Sequence, residues 1–271
     1  MNTNLIILSV IVVGSLIYYY YFYKTENTEE KKEIKLPPMK RNGGFKIKPE
    51  KWKCDFQEEM SLLTPQEKLM KKLCPRFTEN GFTVMSLPKE FKYRLKKLWK
   101  NKQHLKVTEE PVPHRVLWGT KTTGTDLINL LDIKIHDRRL DHDLKAYLKP
   151  LLEKWSKTTN MRHTSSFGLR EYKRGAVLKM HLDRIETHVI SAIIHVEQDS
   201  DRPWPLVIFD DKGKKHEVLL DDENDLVLYE SVSQVHGRPY PFQGESFVNL
   251  FIHYCPPGWE KYVHQVNQYL R

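Results

Sequence analysis

Residues 177–184 read VLKMHLDR, and the fold and chemistry of the chain are read outward from them. The stretch has strand character, and in a strand successive side chains alternate between faces. His181 and Asp183 therefore project from one face, roughly 6.6 Å apart along the chain. An imidazole and a carboxylate so placed can chelate one ion. A third ligand would complete a two-histidine, one-carboxylate facial set, which leaves cis positions open on a metal such as Fe(II). His236 is the candidate, since it follows a predicted strand at 225–230 and opens the Pro/Gly turn His-Gly-Arg-Pro-Tyr-Pro-Phe-Gln-Gly. A lone His-x-Asp is weak evidence in a chain with 12 histidines, where a satisfied core or surface histidine is the plain alternative. The context strengthens the metal reading: further strands, then a histidine entering a turn, then a last hydrophobic strand.

Around this motif, short runs rich in β-branched and aromatic residues follow one another from Ser165 onward. They predict strands at 166–172, 177–184, 188–196, 205–209, 216–219, 225–230 and 246–254. Upstream the pattern is helical. Thr64-Pro65-Gln66-Glu67 is a capping box with proline at the first helical position. Ser86-Leu87-Pro88 opens a second helix, with Phe91, Leu95, Leu98 and Trp99 on one face and a run of Lys and Arg on the other. That basic face is either an anion-binding surface or a solvated exterior, and charge runs are usually the latter. Leu144, Leu148, Leu151, Leu152 and Trp155 mark a third helix, in which Pro150 predicts a kink or break. Helices first and strands later indicate an α+β fold with helices packed on a jelly roll.

With 271 residues the chain can bury a sizeable core. Three cysteines, Cys54, Cys74 and Cys255, exclude a disulfide scaffold and a cysteine-rich zinc site. Lys plus Arg exceed Asp plus Glu by 44 to 35, a surplus that suits an anionic partner without selecting one. Residues 5–23 carry no charge and, as a helix, would cover roughly 28 Å, enough to span a bilayer. A cleaved signal peptide would want a basic start and a small-residue cleavage site, and a buried core helix is the third alternative. The absence of Lys or Arg before the span and the tyrosine-rich end favour an uncleaved anchor. The expected organisation is an anchor at 1–24, a charged tether at 25–60, a helical part at 61–160, a β core at 161–256 and a tail at 257–271. The Lys and Arg between 24 and 41 favour a single-pass protein with its folded part in the cytosol, the endoplasmic reticulum lumen being the alternative.

The stretch from 165 to 256 resembles the Fe(II)/2-oxoglutarate-dependent dioxygenases, in particular the prolyl 4-hydroxylase-like branch. The resemblance is carried by Tyr172-x-x-Gly175, His181-x-Asp183, the strand His188–Val196, Asp225-Leu-Val-Leu-Tyr229 and His236-Gly-x-Pro239. It implies a double-stranded β-helix (jelly-roll) core with buttressing helices, behind the N-terminal transmembrane helix. It implies Fe(II) held by His181, Asp183 and His236, and oxidative decarboxylation of 2-oxoglutarate to succinate with dioxygen, ascorbate being an optional reductant. A protein or peptide substrate, prolyl and acidic in character, is the implied partner; a small molecule or lipid, and a non-enzymatic membrane scaffold binding acidic partners, are the alternatives. Nucleic acid is disfavoured, since no arginine pair follows the distal histidine between 239 and 270.

The chain departs from the family pattern at the co-substrate anchor. A Lys or Arg is usual nine or ten residues after the distal histidine, where this chain has Glu245 and Ser246. A neutral hydroxyl is a weak partner for a carboxylate. The candidates to replace it are Arg170, which shares a strand face with the pocket-facing Tyr172, then Arg238, then His195. Leu178 stands where the family has tyrosine, and His188 where it often has arginine. Trp204, Phe209 and Tyr240 are candidate groove residues, with core packing as the plainer role. His163, His216 and His253 read as structural.

Overall fold

A computed structural model describes residues 63–109, 117–118 and 127–269. The apolar segment at 5–23 and the tether to residue 60 lie outside the described residues. Among the described residues, no helix is long and apolar enough to cross a membrane.

Helix α1 (Pro65–Leu73) begins at the expected capping box: Thr64 Oγ accepts from the Glu67 N–H at 3.2 Å, and Glu67 accepts from the Thr64 N–H at 2.7 Å. Strand β1 (Phe82–Met85) and helix α2 (Lys89–Lys102) follow, then the short strands β2 (Val107–Thr108), β3 (Leu117–Trp118) and β4 (Ile128–Leu131). A single-turn helix α3 (Ile133–His136) leads into α4 (Arg138–Ser156). Leu140, Leu144, Leu148 and Leu152 form one fully buried stripe along α4. The expected break at Pro150 does not occur: the helix runs through it. Pro150 sits on the exposed face, where water can satisfy the carbonyl that loses its partner.

Eight strands complete the chain: β5 (Arg162–Tyr172), β6 (Val177–His181), β7 (Ile190–Ser200), β8 (Leu206–Phe209), β9 (Lys215–Val218), β10 (Leu226–Tyr229), β11 (His236–Arg238) and β12 (Gly244–Cys255). They close on helix α5 (Trp259–Tyr269), which occupies the segment expected to be a tail and buries Trp259 and Val266. Seven strands pair in the order β1-β10-β7-β12-β5-β4-β2, and five in the order β3-β6-β11-β8-β9, with antiparallel neighbours throughout. Two facing antiparallel sheets of this connectivity make the expected jelly roll.

Strand β7 shows why the core strands read as nearly continuous apolar runs. Ile190, Ala192, Ile194 and Val196 pack against the helices, while Ile193 points into the barrel. Both faces of the larger sheet are covered, so polar residues appear on its inner face only where chemistry or a buried network uses them. Ser191 and His195, inward like Ile193, are two such residues.

Candidate metal centre

His181 ends β6, and Asp183 follows it in a turn held by the Asp183 N–H donating to the Ser231 carbonyl at 2.9 Å. His236 begins β11 and is the register partner of His181. The first three residues of the expected turn, His236–Arg238, are thus a strand, because they find partners on both sides in β6 and β8, and the chain leaves the sheet from Pro239 to Gln243. The ligand atoms of His181, Asp183 and His236 lie within 4.8 Å of one another. Asp183 Oδ1 is 3.3 Å from His181 Nε2 and 3.8 Å from His236 Nε2.

The protons of this group are fixed by the backbone. His181 Nδ1 lies 2.7 Å from the Lys179 carbonyl oxygen, and His236 Nδ1 lies 2.8 Å from that of Gln234. A carbonyl only accepts, so both Nδ1 atoms carry hydrogen, and in the neutral form of each ring it is Nε2 that offers the lone pair. The two Nε2 atoms and a carboxylate oxygen converge, an arrangement that a cation stabilises. Burial, with the neighbouring His181, pushes His236 down to about 4, so it is neutral near pH 7. For Asp183, burial opposes ionisation, but His236, His181 and His253 outweigh it and hold the carboxyl far below its ordinary range. The residues present fit an Fe(II) facial triad in ligand type and tautomer.

Tyr229, on β10, donates its hydroxyl to Asp183 Oδ2 at 3.3 Å. Burial, then the Asp183 charge, keeps this phenol protonated well above its usual range. His253, read from the sequence as structural, stands on β12 with Nδ1 3.8 Å from Asp183 Oδ2. No spacing rule links residues 183 and 253. A cavity of about 270 Å³ opens on the triad, walled by Phe167, Leu178, Ile193, Tyr229 and Phe251.

The anchor candidates separate clearly. Arg170 points into the barrel beside Phe167 and Phe251, but Glu109 holds it through two hydrogen bonds of 2.5 Å each. Burial alone would lower its pKa, and the Glu109 carboxylate more than reverses this. The first-ranked candidate is thus already neutralised. Ser246 faces out of the barrel: its hydroxyl donates to Glu171 at 3.1 Å, whereas neighbouring Phe247 packs inside with Tyr172 and Trp204. A co-substrate role for Ser246 is therefore corrected.

Arg238 is 1% exposed and lies between the rings of Trp204 (4.8 Å) and Phe247 (4.5 Å). It donates to the Trp204 carbonyl and, at 3.3 Å, to the side-chain oxygen of Asn249, whose amide nitrogen donates to His195 Nδ1 at 3.1 Å. No ion pair reaches Arg238 among the described residues. Desolvation without a carboxylate pushes its pKa down to about 9. The Tyr172 hydroxyl nearby is buried and makes no hydrogen bond of good geometry. His195 is held neutral by burial, down to about 4. Tyr172, His195 and Arg238 therefore form one cluster on the barrel's inner wall. Trp204 and Phe209 are core residues, and Tyr240 lies at the surface with its hydroxyl 3.5 Å from Glu217.

Three residues of the basic face of α2 make ion pairs within the molecule. Lys92 pairs with Asp225 at 2.7 Å, Lys96 with Asp222 at 2.6 Å and Arg94 with Asp143 at 2.8 Å.

Comparison with known proteins matches this geometry at the level of fold. No family model and no curated protein matches the sequence. Among solved structures, a Trichoplax adhaerens prolyl hydroxylase in complex with a hypoxia inducible factor oxygen degradation domain peptide superposes with a TM-score of 0.50. It has 14% identity, over 75% of this chain and 93% of that one. A Pseudomonas putida prolyl-4-hydroxylase gives 0.48 at 16% identity, covering 71% of this chain and 100% of its own. Streptomyces hygroscopicus HygX, solved with nickel, 2-oxoglutarate and hygromycin B, gives 0.47 at 12% identity, with coverages of 72% and 88%. The chain shares the fold of the Trichoplax adhaerens prolyl hydroxylase.

Proposed function

We propose that this protein is an Fe(II)- and 2-oxoglutarate-dependent oxygenase that hydroxylates a side chain of a peptide or protein, proline by resemblance. The observation that carries the reading is the convergence of His181, Asp183 and His236, with each imidazole Nδ1 turned to a backbone carbonyl and each Nε2 turned to the carboxylate. When bound, Fe(II) would supply the oxidising chemistry, with 2-oxoglutarate and dioxygen converted to succinate and carbon dioxide as one oxygen atom enters the substrate C–H bond.

The chain's own residues would do the rest. His181, Asp183 and His236 hold one face of the metal, and Tyr229 fixes the outer oxygen of Asp183. Arg238 takes the distal carboxylate of the keto acid, a role supported by its burial without an anion. The Tyr172 hydroxyl and His195 supply neutral donors on the same wall, and Phe167, Leu178, Ile193 and Phe251 keep bulk water from the cavity. Residues 5–23 anchor the enzyme in a membrane, and the flanking charge supports a cytosolic catalytic domain with an acidic peptide partner. The test is succinate formation by the full-length protein with Fe(II), 2-oxoglutarate and ascorbate. The reading expects turnover that disappears in His181→Ala, and turnover that survives there contradicts the assigned triad. Protease protection of sealed vesicles tests the orientation, the cytosolic reading expecting cleavage of the exposed domain.

A further inference from the structure

His253 lines the cavity, and one of its ring nitrogens has a fixed chemical character and no hydrogen-bond partner among the described residues. The Ser231 hydroxyl donates to the His188 carbonyl oxygen at 3.0 Å, since that oxygen can only accept. Its one proton is thereby committed, so Ser191 is the donor in the 2.6 Å contact between Ser191 Oγ and Ser231 Oγ. The Ser191 proton is then committed too. The 2.6 Å contact between Ser191 Oγ and His253 Nδ1 therefore requires Nδ1 to carry the hydrogen. A neutral imidazole has one N–H, which leaves His253 Nε2 as a bare lone pair.

That lone pair is buried, and no group among the described residues donates to it. His188 stacks on the His253 ring at 3.8 Å between centroids, and Phe167 meets it edge-on at 5.5 Å. Both neighbours line the same cavity as the triad. His253 is not one of the three converging ligands, so the metal does not account for Nε2. A bare acceptor cannot pair with an anion, and it suits a neutral donor that would otherwise be desolvated without compensation.

We propose that His253 Nε2 is a substrate-binding acceptor, taking an amide N–H of the peptide beside the residue to be oxidised. This rests on the peptide-oxygenase reading above. It adds a selection rule: a ligand lacking that N–H leaves the lone pair unpaired and binds more weakly.

The experiment uses the full-length protein labelled with [15N]histidine and loaded with Zn(II) and 2-oxoglutarate. Histidine NMR is expected to show His253 protonated at Nδ1 and not at Nε2. N-acetyl-L-proline N-methylamide should shift Nε2 and bind about tenfold more tightly than the N,N-dimethylamide, which has no N–H. His253→Phe should bring the two affinities together. A protonated Nε2 in the free protein, equal affinity for the two amides, or no binding of either overturns the proposal. So does a preference for N-acetyl-L-prolinol, whose donor is a hydroxyl. The tautomer and the amide pair are read on the wild type, so a misfolded variant does not decide the matter. The tautomer measurement also needs neither iron nor turnover. Failure to bind 2-oxoglutarate would sink the oxygenase reading and leave the tautomer result standing.

Discussion

Gly237 packs directly on the backbone of Lys179: a Cβ at position 237 would fall 2.7 Å from the Lys179 carbonyl oxygen and 2.8 Å from that of Leu178. This contact lies between His236 and Arg238, where the pairing of β11 with β6 shifts register. It sets how closely the strand carrying the third ligand approaches the strand carrying the first.

Gly237→Ala should therefore weaken the site from outside it. A methyl group against two fixed carbonyls must push β11 from β6 and separate His236 from His181. We expect metal affinity to fall by at least about tenfold, as for loss of groups that orient ligands. Titration of the metal-free protein with Fe(II) under anaerobic conditions measures it, and wild-type affinity would refute the claim.

Arg238→Met should raise the dissociation constant of 2-oxoglutarate by about a hundredfold, as expected when one partner of a buried charge pair is removed. Calorimetry on the metal-loaded protein reads this directly. The fluorescence of Trp204, whose ring lies 4.8 Å from the Arg238 guanidinium, gives a second signal. Unchanged affinity would remove Arg238 as the anchor.

Arg170→Met should act on stability. It leaves Glu109 buried and unpaired, at a cost of about 3–5 kcal/mol. Adding Glu109→Gln should restore a large part of that loss, because no buried charge then remains. Urea denaturation of the single and double variants checks this; a single variant as stable as wild type would contradict the buried pair.

Stability should also fall on acidification, partly through His195. Burial holds its folded pKa near 4 against an ordinary value of 6.5, so between these values the unfolded chain binds the proton first. The contribution is absent above about pH 6.5, grows as pH falls and is complete below about 4. At pH 5 it amounts to about 2 kcal/mol. His195→Gln should lessen the drop in stability between pH 7 and pH 5, and an identical drop in both proteins would refute the assignment.

Much of this architecture was legible because its signals are local. The capping box at Thr64 and the apolar run of β7 each depend on near neighbours, whereas the strand expected over 177–184 ends at His181 and leaves Asp183 in the loop beyond it. What could not be read depends on distant pairing. Arg170 was a sound anchor candidate until Glu109, 61 residues away, was found on it. Ser246 was placed by counting from His236, but β12 bulges at Gly244/Ser246 and Val248/Asn249, and each bulge changes which residues face inward. His236 looked like a turn residue because Gly237, Pro239 and Pro241 surround it, yet β6 and β8 hold it as a strand. His253 carries no motif at all. Its tautomer comes from two distant serines, Ser191 on β7 and Ser231 in the turn after β10.

The most direct test of the account is iron stoichiometry. The full-length protein, purified metal-free and titrated with Fe(II) in the absence of oxygen, should bind one iron per chain, and His236→Ala should abolish that binding. A wild-type chain that takes up no stoichiometric iron, or a His236→Ala variant that binds it as well as wild type, would contradict the claim that these three side chains form a metal centre.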